Sequence, residues 1–345
     1  MQFMTALNKT SLHTISLVGL AIIFTIGLSF ATLEIPRLLA SALGTVIPDP
    51  GYDPSAIEKF IQDHHVRAIG YACLAAIFAL IVVGFLTGRR SLASAGAVLM
   101  FLPTFGYFAS SMFFLAGLGI LRVPWMPIWD ASFDLLKLGD IAYLPYMIVV
   151  YPLSLVFGPP SSEVDFRKII GICLVAFGLF IFLLGTITWL YGKYHKKDVI
   201  DFWIYKYSRH PQYLGFIIWS YGVMIMGALT PVVRGGVNPG ASLPWLVSSL
   251  VVIGIALNEE IAMINKYGQV YARYQIKSPF MLPVGRLVSS VITMPSRMLF
   301  RTNLPQNRRQ ISVILVIYFV FLLIVSLPFV LLHWPPLPGW SSWPF

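Results

Sequence analysis

Eight apolar runs, near residues 14–33, 68–87, 92–121, 141–158, 169–191, 213–230, 244–264 and 311–332, follow one another along this chain. Each reaches the ~18 residues that an α-helix needs to cross the hydrocarbon core of a bilayer. In lipid, backbone amides must be satisfied within the segment, so only helices and closed barrels can span. These runs lack the alternation of a barrel strand. The expected fold is all-α: a polytopic transmembrane helical bundle of about seven or eight spans. With 57% apolar and 11% charged residues, the composition excludes an ordinary soluble domain.

The first run is followed by Ala40-Ser41-Ala42, which has the small-residue pattern of a cleavage site. Its apolar core is longer than that of a secretory signal, so it reads as an uncleaved anchor. Cys73 and Cys173 both fall inside apolar runs. There a thiol acts as a small hydrophobe, and neither a disulfide nor a cysteine metal site is expected.

The net charge of +10 is concentrated rather than spread. Lys193, Lys196, Lys197, Lys206 and Arg209 form one basic stretch; Lys266, Arg273, Lys277, Arg286, Arg297, Arg301, Arg308 and Arg309 form another, and together they hold more than half of the 24 basic residues. Inter-helix clusters of this kind read as cytoplasmic faces that touch anionic lipid. A nucleic-acid partner is not expected, because no aromatic-and-basic groove accompanies the charge. With both stretches on one side, the runs at 213–230 and 244–264 form a hairpin that turns between Pro231 and Leu243 on the other. Counting back through eight spans puts Arg89 and Arg90 on the wrong side, so one of the upstream runs, 92–121 with Pro103 or 141–158 with Pro145 and Pro152, is expected not to cross.

Other polar features carry less. Asp63-His64-His65 suggests a metal, but adjacent histidines point to different sides of a helix, and an interfacial polar helix over Ser55 to Arg67 is the better reading. The tail from His333 to Phe345, with Trp334, Trp340 and Trp343 among prolines, reads as an interfacial anchor.

The chemistry concentrates where the second basic-to-apolar boundary meets the end of the following run. Arg209-His210-Pro211-Gln212-Tyr213-Leu214-Gly215 opens one helix, and Glu259-Glu260 closes the next. Ser208 or His210 suits the N-cap and Pro211 the first turn. The free amides and dipole of such a start, with Arg209 beside them, attract a carboxylate or phosphate. Gly215 leaves room for a planar ligand or a neighbouring helix. Taken singly, Arg209 reads as a headgroup contact, Tyr213 as an aromatic-belt residue and Gly215 as a packing notch. Two adjacent carboxylates at the end of an apolar run with no local cation point more strongly to a site. Tyr267, Tyr271 and Tyr274 form an aromatic stripe just beyond, followed by the Pro279 to Pro283 turn.

Tyr205 to Gly215, then Glu259-Glu260, then Lys266-Tyr267-Gly268 with Tyr271 and Tyr274, then Pro279 to Pro283, resemble the isoprenylcysteine carboxyl methyltransferase and phospholipid methyltransferase families over residues 170–285. The resemblance implies S-adenosylmethionine as methyl donor and a lipophilic acceptor entering from the bilayer. It implies a cofactor pocket at the cytoplasmic face formed by Tyr205, Arg209, His210, Pro211, Tyr213, Gly215, Glu259, Glu260 and Tyr271. Glu259, Glu260 and Arg273 are the candidate catalytic residues. The expected organisation is N-terminal membrane helices of unknown role over 1–165, a methyltransferase-like core over 166–285, and a basic interfacial segment with a final helix and Trp/Pro-rich tail over 286–345; the first 160 residues and the final helix lie outside the resemblance.

Two positions depart from the family pattern. Ile255 stands where an arginine often precedes the carboxylates, and Trp203 where a glycine is usual. Arg273 or Lys277 is then the expected substitute for the missing cation. A sterol-reductase-like enzyme using NADPH shares an Arg-His-Pro motif and a Lys-Tyr-Gly segment. That pattern prefers Asn at the position of Gln212 and a different acidic spacing. A transporter or lipid-binding scaffold is the non-enzymatic alternative, although no repeated halves are visible.

Overall fold

The computed structural model describes residues 2–46, 54–107, 120–157, 165–229 and 240–332. Every regular element among them is helical. In chain order they are α1 (Gln2–Val46), α2 (Pro54–Asp63), α3 (Val66–Thr87), α4 (Arg90–Phe101), α5 (Met126–Ala131), α6 (Leu144–Phe157), α7 (Phe166–Tyr194), α8 (Pro211–Ala228), α9 (Ser242–Tyr267), α10 (Gln269–Lys277), α11 (Arg286–Ile292), α12 (Met294–Phe300) and α13 (Arg308–Leu331). Local chemistry sets several boundaries. The Asp165 carboxylate accepts from the Arg167 amide to start α7, and the Asn307 side chain accepts from Gln310 to start α13. Gly88 ends α3 with a left-handed φ of 69°, and Pro211 occupies the first turn of α8.

Among the described residues, six segments are long and apolar enough to cross a membrane: His13–Leu39, Val66–Thr87, Asp134–Val156, Phe166–Tyr194, Ser242–Tyr267 and Arg308–Leu331. The chain is a multi-pass helical membrane protein. Two expected spans are not among these six. The run at 92–121 gives only α4 and a 3-10 turn to Tyr107, with the run from 108 to 119 outside the described residues. The run at 213–230 gives α8, whose Gln212, Tyr213, Ser220 and Tyr221 dilute its apolar character and which lies largely inside the bundle. The expected turn from Pro231 and the tail from His333 also fall, in large part or entirely, outside the described residues.

Side-chain contacts fix which ends of the helices lie together. Arg90, at the start of α4, reaches Glu259 near the end of α9, and the Arg308 guanidinium lies against Gly88. The ring of His13 sits 5.4 Å from that of Tyr194 at the end of α7. At the opposite end, Gly70 near the start of α3 packs on the Val123 carbonyl, and Gly139 packs on Leu243 near the start of α9. The Tyr146 hydroxyl donates to the Arg167 carbonyl at the start of α7. The chain from Val123 to Arg167 therefore begins and ends at the far end and makes no net crossing, although Asp134–Val156 is long and apolar enough to do so. This accounts for the misplaced arginines: Arg89 and Arg90 lie at the same end as the other basic clusters around Lys193, Lys266 and Arg308.

The helix pair that carries the site is α7 and α8, held by interlocking glycines. A Cβ on Gly215 would come 2.5 Å from the Phe182 amide nitrogen, one on Gly178 2.3 Å from the Trp219 nitrogen, and one on Gly222 2.7 Å from the Val175 nitrogen. Gly171, Gly178 and Gly185 recur every seven residues on α7, opposite Gly215 and Gly222 on α8. In lipid, where apolar burial gives helices little reason to associate, such close backbone approach is the main source of attraction. The seam fixes α8 so that its first turn, Pro211 and Gln212, rests on Gly185.

Candidate functional site

The start of α8 and the end of α9 meet around one buried carboxylate. Arg209 Nε lies 3.0 Å from Glu260 Oε1 and Nη2 lies 2.9 Å from Oε2, a two-point ion pair. His210 Nε2 is 2.8 Å from Oε1, the Tyr271 hydroxyl donates to Oε1 at 2.7 Å, and the Gln275 amide donates to Oε2. With five contacts on two oxygens, Glu260 has no acceptor site left for a ligand. Because a carboxylate only accepts, His210 presents its Nε2–H to Glu260 and turns Nδ1 the other way. Arg209 is equally committed: its Nη1 donates to the Gln275 and Ser278 carbonyls, and its amide donates to Pro279. This ties α8, α9, α10 and the Pro279 to Pro283 turn into one unit.

Glu259 is set differently. Its Oε1 accepts from the Tyr213 hydroxyl and from Arg90 Nη1, both at 2.8 Å, and its Oε2 faces His210 Nδ1 at 3.7 Å. It borders a cavity of about 610 Å³, within the range of small-molecule sites. One wall is aromatic and polar, with Trp189, Tyr205, Tyr213, Tyr271 and Tyr274; Val199, Ile200, Ala262 and Met263 supply apolar surface. Burial pushes the Tyr205, Tyr271 and Tyr274 hydroxyls upward from their ordinary range, with nearby Glu260 adding to the shift at Tyr271. All three stay protonated donors at neutral pH. Tyr274 donates to the Tyr205 carbonyl, and the Tyr205 hydroxyl faces Gln212.

The residues expected from the sequence divide into four groups. Tyr205, Arg209, His210, Tyr213, Glu259 and Tyr271 line the cavity. Glu260 stands behind its wall, holding Arg209 and His210 in place. Pro211 and Gly215 do not line it: Pro211 is buried against Gly185 and Gly215 against Phe182 and Gly178 of α7, so both serve helix packing. Arg273 is exposed and absent from the cavity lining, because it projects from the face of α10 opposite the buried Tyr271 and Tyr274. Neither it nor Lys277 supplies a cation there. The expectation that Arg209 receives a ligand anion also meets an occupied guanidinium.

Sequence reasoning passed over several lining residues, Trp189, Ile200 and Met263 among them, and the one with a charge pairing to Glu259 is Arg90. It comes from α4, far away in the chain from Glu259, and no local motif marks it. The available signal was the topological conflict that put it on the wrong side. Ile255, at the position of the absent family arginine, is 2% exposed and packs among Ile77, Ile81, Ala93 and Ala97, so that face of α9 is closed by α3 and α4. Elsewhere, the His64 ring stacks on Phe60 at 4.1 Å, and His65 takes a left-handed φ of 51° just before α3.

Comparison with known proteins finds a match over part of the chain, to a family model without an assigned activity. Residues 129–278 match the model of a family described as "Protein of unknown function (DUF1295)". That segment runs from α5 to just past α10; α3, α4 and Arg90 fall outside it. No curated protein and no solved structure matches the chain significantly.

Proposed function

We propose that the cavity is the active site of a membrane methyltransferase that uses S-adenosylmethionine and a lipophilic acceptor drawn from the bilayer. The observation that carries this reading is the shared hollow bounded by His210 at the start of α8 and Glu259 at the end of α9, beneath α10. The donor set suits the cofactor. Among the described residues Glu259 Oε2 accepts no hydrogen bond, with His210 Nδ1 3.7 Å away, and it can pair with an ammonium or sulfonium. The aromatic faces of Trp189, Tyr205 and Tyr213 suit a cationic sulfur or a flat base. S-adenosylmethionine supplies, when bound, a methyl group that leaves a sulfonium without its electron pair and needs no metal.

The chain's own residues then have definable work. Glu260 keeps His210 in one orientation, with Nδ1 toward the cavity, where it can take up a proton released by an acceptor hydroxyl or ammonium. A carboxylate acceptor releases none, and there the same nitrogen serves only to orient. The fixed ring of tyrosine hydroxyls positions polar atoms, and the apolar wall of Ile200, Ala262 and Met263 keeps water from competing with the acceptor. Basic clusters gathered at the site end make that end cytoplasmic under the positive-inside rule.

The test is transfer of label from methyl-labelled S-adenosylmethionine into the organic extract of membranes carrying this protein. Label above that of membranes lacking the protein, lost in Glu259→Gln, is expected. Absence of label, together with thermal protection of the purified protein by NADPH and not by S-adenosylmethionine, would overturn the reading in favour of a reductase.

A further inference from the structure

Four cationic side chains border the cavity, Arg90, Lys193, Arg209 and Lys266; only the arginines present a planar fork, and their guanidinium groups differ in what they still offer. Arg209 donates from Nε and Nη2 to Glu260 and from Nη1 to two carbonyls, at a side-chain exposure of 4%. Arg90 makes one hydrogen bond, Nη1 to Glu259, and its side chain is 48% exposed. Its Nε and Nη2 edge makes no hydrogen bond among the described residues. That edge carries parallel N–H groups spaced for the two oxygens of a carboxylate or phosphate. On the other side Nη1 donates to Glu259, which the Tyr213 hydroxyl holds in turn, so a ligand meets a guanidinium already tethered at the cavity rim.

We propose that Arg90 is the anion-recognition residue of the cavity, binding the carboxylate or phosphate of a ligand held there. This rests on the reading of the cavity as a ligand site, and it deepens that reading by assigning the anion to α4 rather than to the start of α8. The segment that matches the family model therefore builds an incomplete site, and the N-terminal helices complete it. Two ligands carry the required chemistry: the amino-acid carboxylate of the donor, and an acidic headgroup on the acceptor.

Paired probes separate these sources from each other and from the methyltransferase reading. Binding to purified protein is followed by quenching of tryptophan fluorescence. The probes are S-adenosylmethionine against its decarboxylated counterpart, and dioctanoyl phosphatidic acid against dioctanoylglycerol. Arg90→Met, which keeps the aliphatic stem, should weaken the acidic member of one pair about ten- to hundredfold and leave its neutral counterpart within twofold. Arg90→Lys should fall between, since it keeps the charge without the fork. An effect confined to the first pair assigns Arg90 to the donor, and one confined to the second assigns it to the acceptor. Should S-adenosylmethionine fail to bind the unaltered protein while phosphatidic acid binds in an Arg90-dependent way, the anion site stands and the methyltransferase reading falls. If neither acidic probe binds the unaltered protein, or Arg90→Met leaves both affinities within twofold, the proposal is overturned.

Discussion

Arg209 and Glu260 face each other edge to edge, with Nε–Oε1 at 3.0 Å and Nη2–Oε2 at 2.9 Å, and both side chains are 4% exposed. A pair so buried is costly to form, and it persists only because every remaining donor and acceptor is met. Glu260 therefore organises the site without touching the cavity, while its neighbour Glu259 opens onto it.

The two glutamates should separate in experiment. Glu260→Gln leaves the Arg209 charge buried without a counter-ion, and a loss of about 3–5 kcal/mol is expected. It should appear as a lowered midpoint of thermal unfolding in detergent. Glu259 is partly exposed, and Glu259→Gln should shift that midpoint little while weakening binding of a cationic donor about ten- to hundredfold. A midpoint that falls equally in both variants would show that Glu259 is structural as well.

The glycine seam makes a second prediction. At Gly178 an added Cβ would lie 2.3 Å from the Trp219 backbone nitrogen, where no side chain can yield. Gly178→Ala should destabilise by about 1–3 kcal/mol through overpacking and displace the start of α8 from Gly185. Gly19, with open space around its Cβ position, is the control: Gly19→Ala should leave the unfolding midpoint unchanged or slightly higher. Equal effects at both positions would remove the seam as the basis of α7–α8 association.

The legibility of this chain in its sequence follows the range of the interactions involved. The helical membrane class needs only run length and composition, both local properties, and those sufficed. The association of Arg209-His210 with Glu259-Glu260 was also legible, because isolated charges at the edge of apolar runs demand partners. Arg90 was not, since the partner of Glu259 depends on how α4 packs against α9. The heptad of Gly171, Gly178 and Gly185 stood in the sequence, yet its meaning depends on the matching Gly215 and Gly222 across the interface. Gly215 was accordingly assigned to a pocket when it belongs to that interface. Asp134–Val156 has the length of a span, and only the contacts of Gly139 and Tyr146 with the starts of α9 and α7 show that the chain from Val123 to Arg167 makes no net crossing.

A pH dependence attaches to the start of α7. Burial tends to raise the Asp165 carboxyl, but its hydrogen bonds and ion pair with Arg167 outweigh that and hold it below the ordinary value. A carboxyl depressed in the folded state stabilises above its unfolded pKa, and that contribution is lost as pH falls through the folded one. Asp165→Asn, which keeps the capping oxygen, should lose the acid-side part of the pH dependence of the unfolding midpoint. Asp165→Ala should lose in addition about 1 kcal/mol of capping at neutral pH. Unfolding curves at pH 3 and pH 7 decide between them: an unchanged difference between the two pH values in Asp165→Asn would exclude the assignment.

Placing an arginine at position 255, one turn before the carboxylates, tests whether that face of α9 can hold a cation. Ile255 is 2% exposed and faces Ile81, Ala93 and Ala97, so Ile255→Arg would drive a guanidinium between α4 and α9. Glu260 is fully bonded and Glu259 already pairs its Oε1 with Arg90 and Tyr213, so the new cation would have to compete with Arg90 for the one carboxylate on that side. A loss of several kcal/mol is expected from an unpaired buried charge and the overpacking that accompanies it. Ile255→Leu, similar in volume, should cost less than about 1.5 kcal/mol. If Ile255→Arg instead folds with an unaltered midpoint, and then rescues ligand binding in Arg90→Met, the two cations are interchangeable. The role of the α4 arginine could in that case be filled by a cation presented from α9.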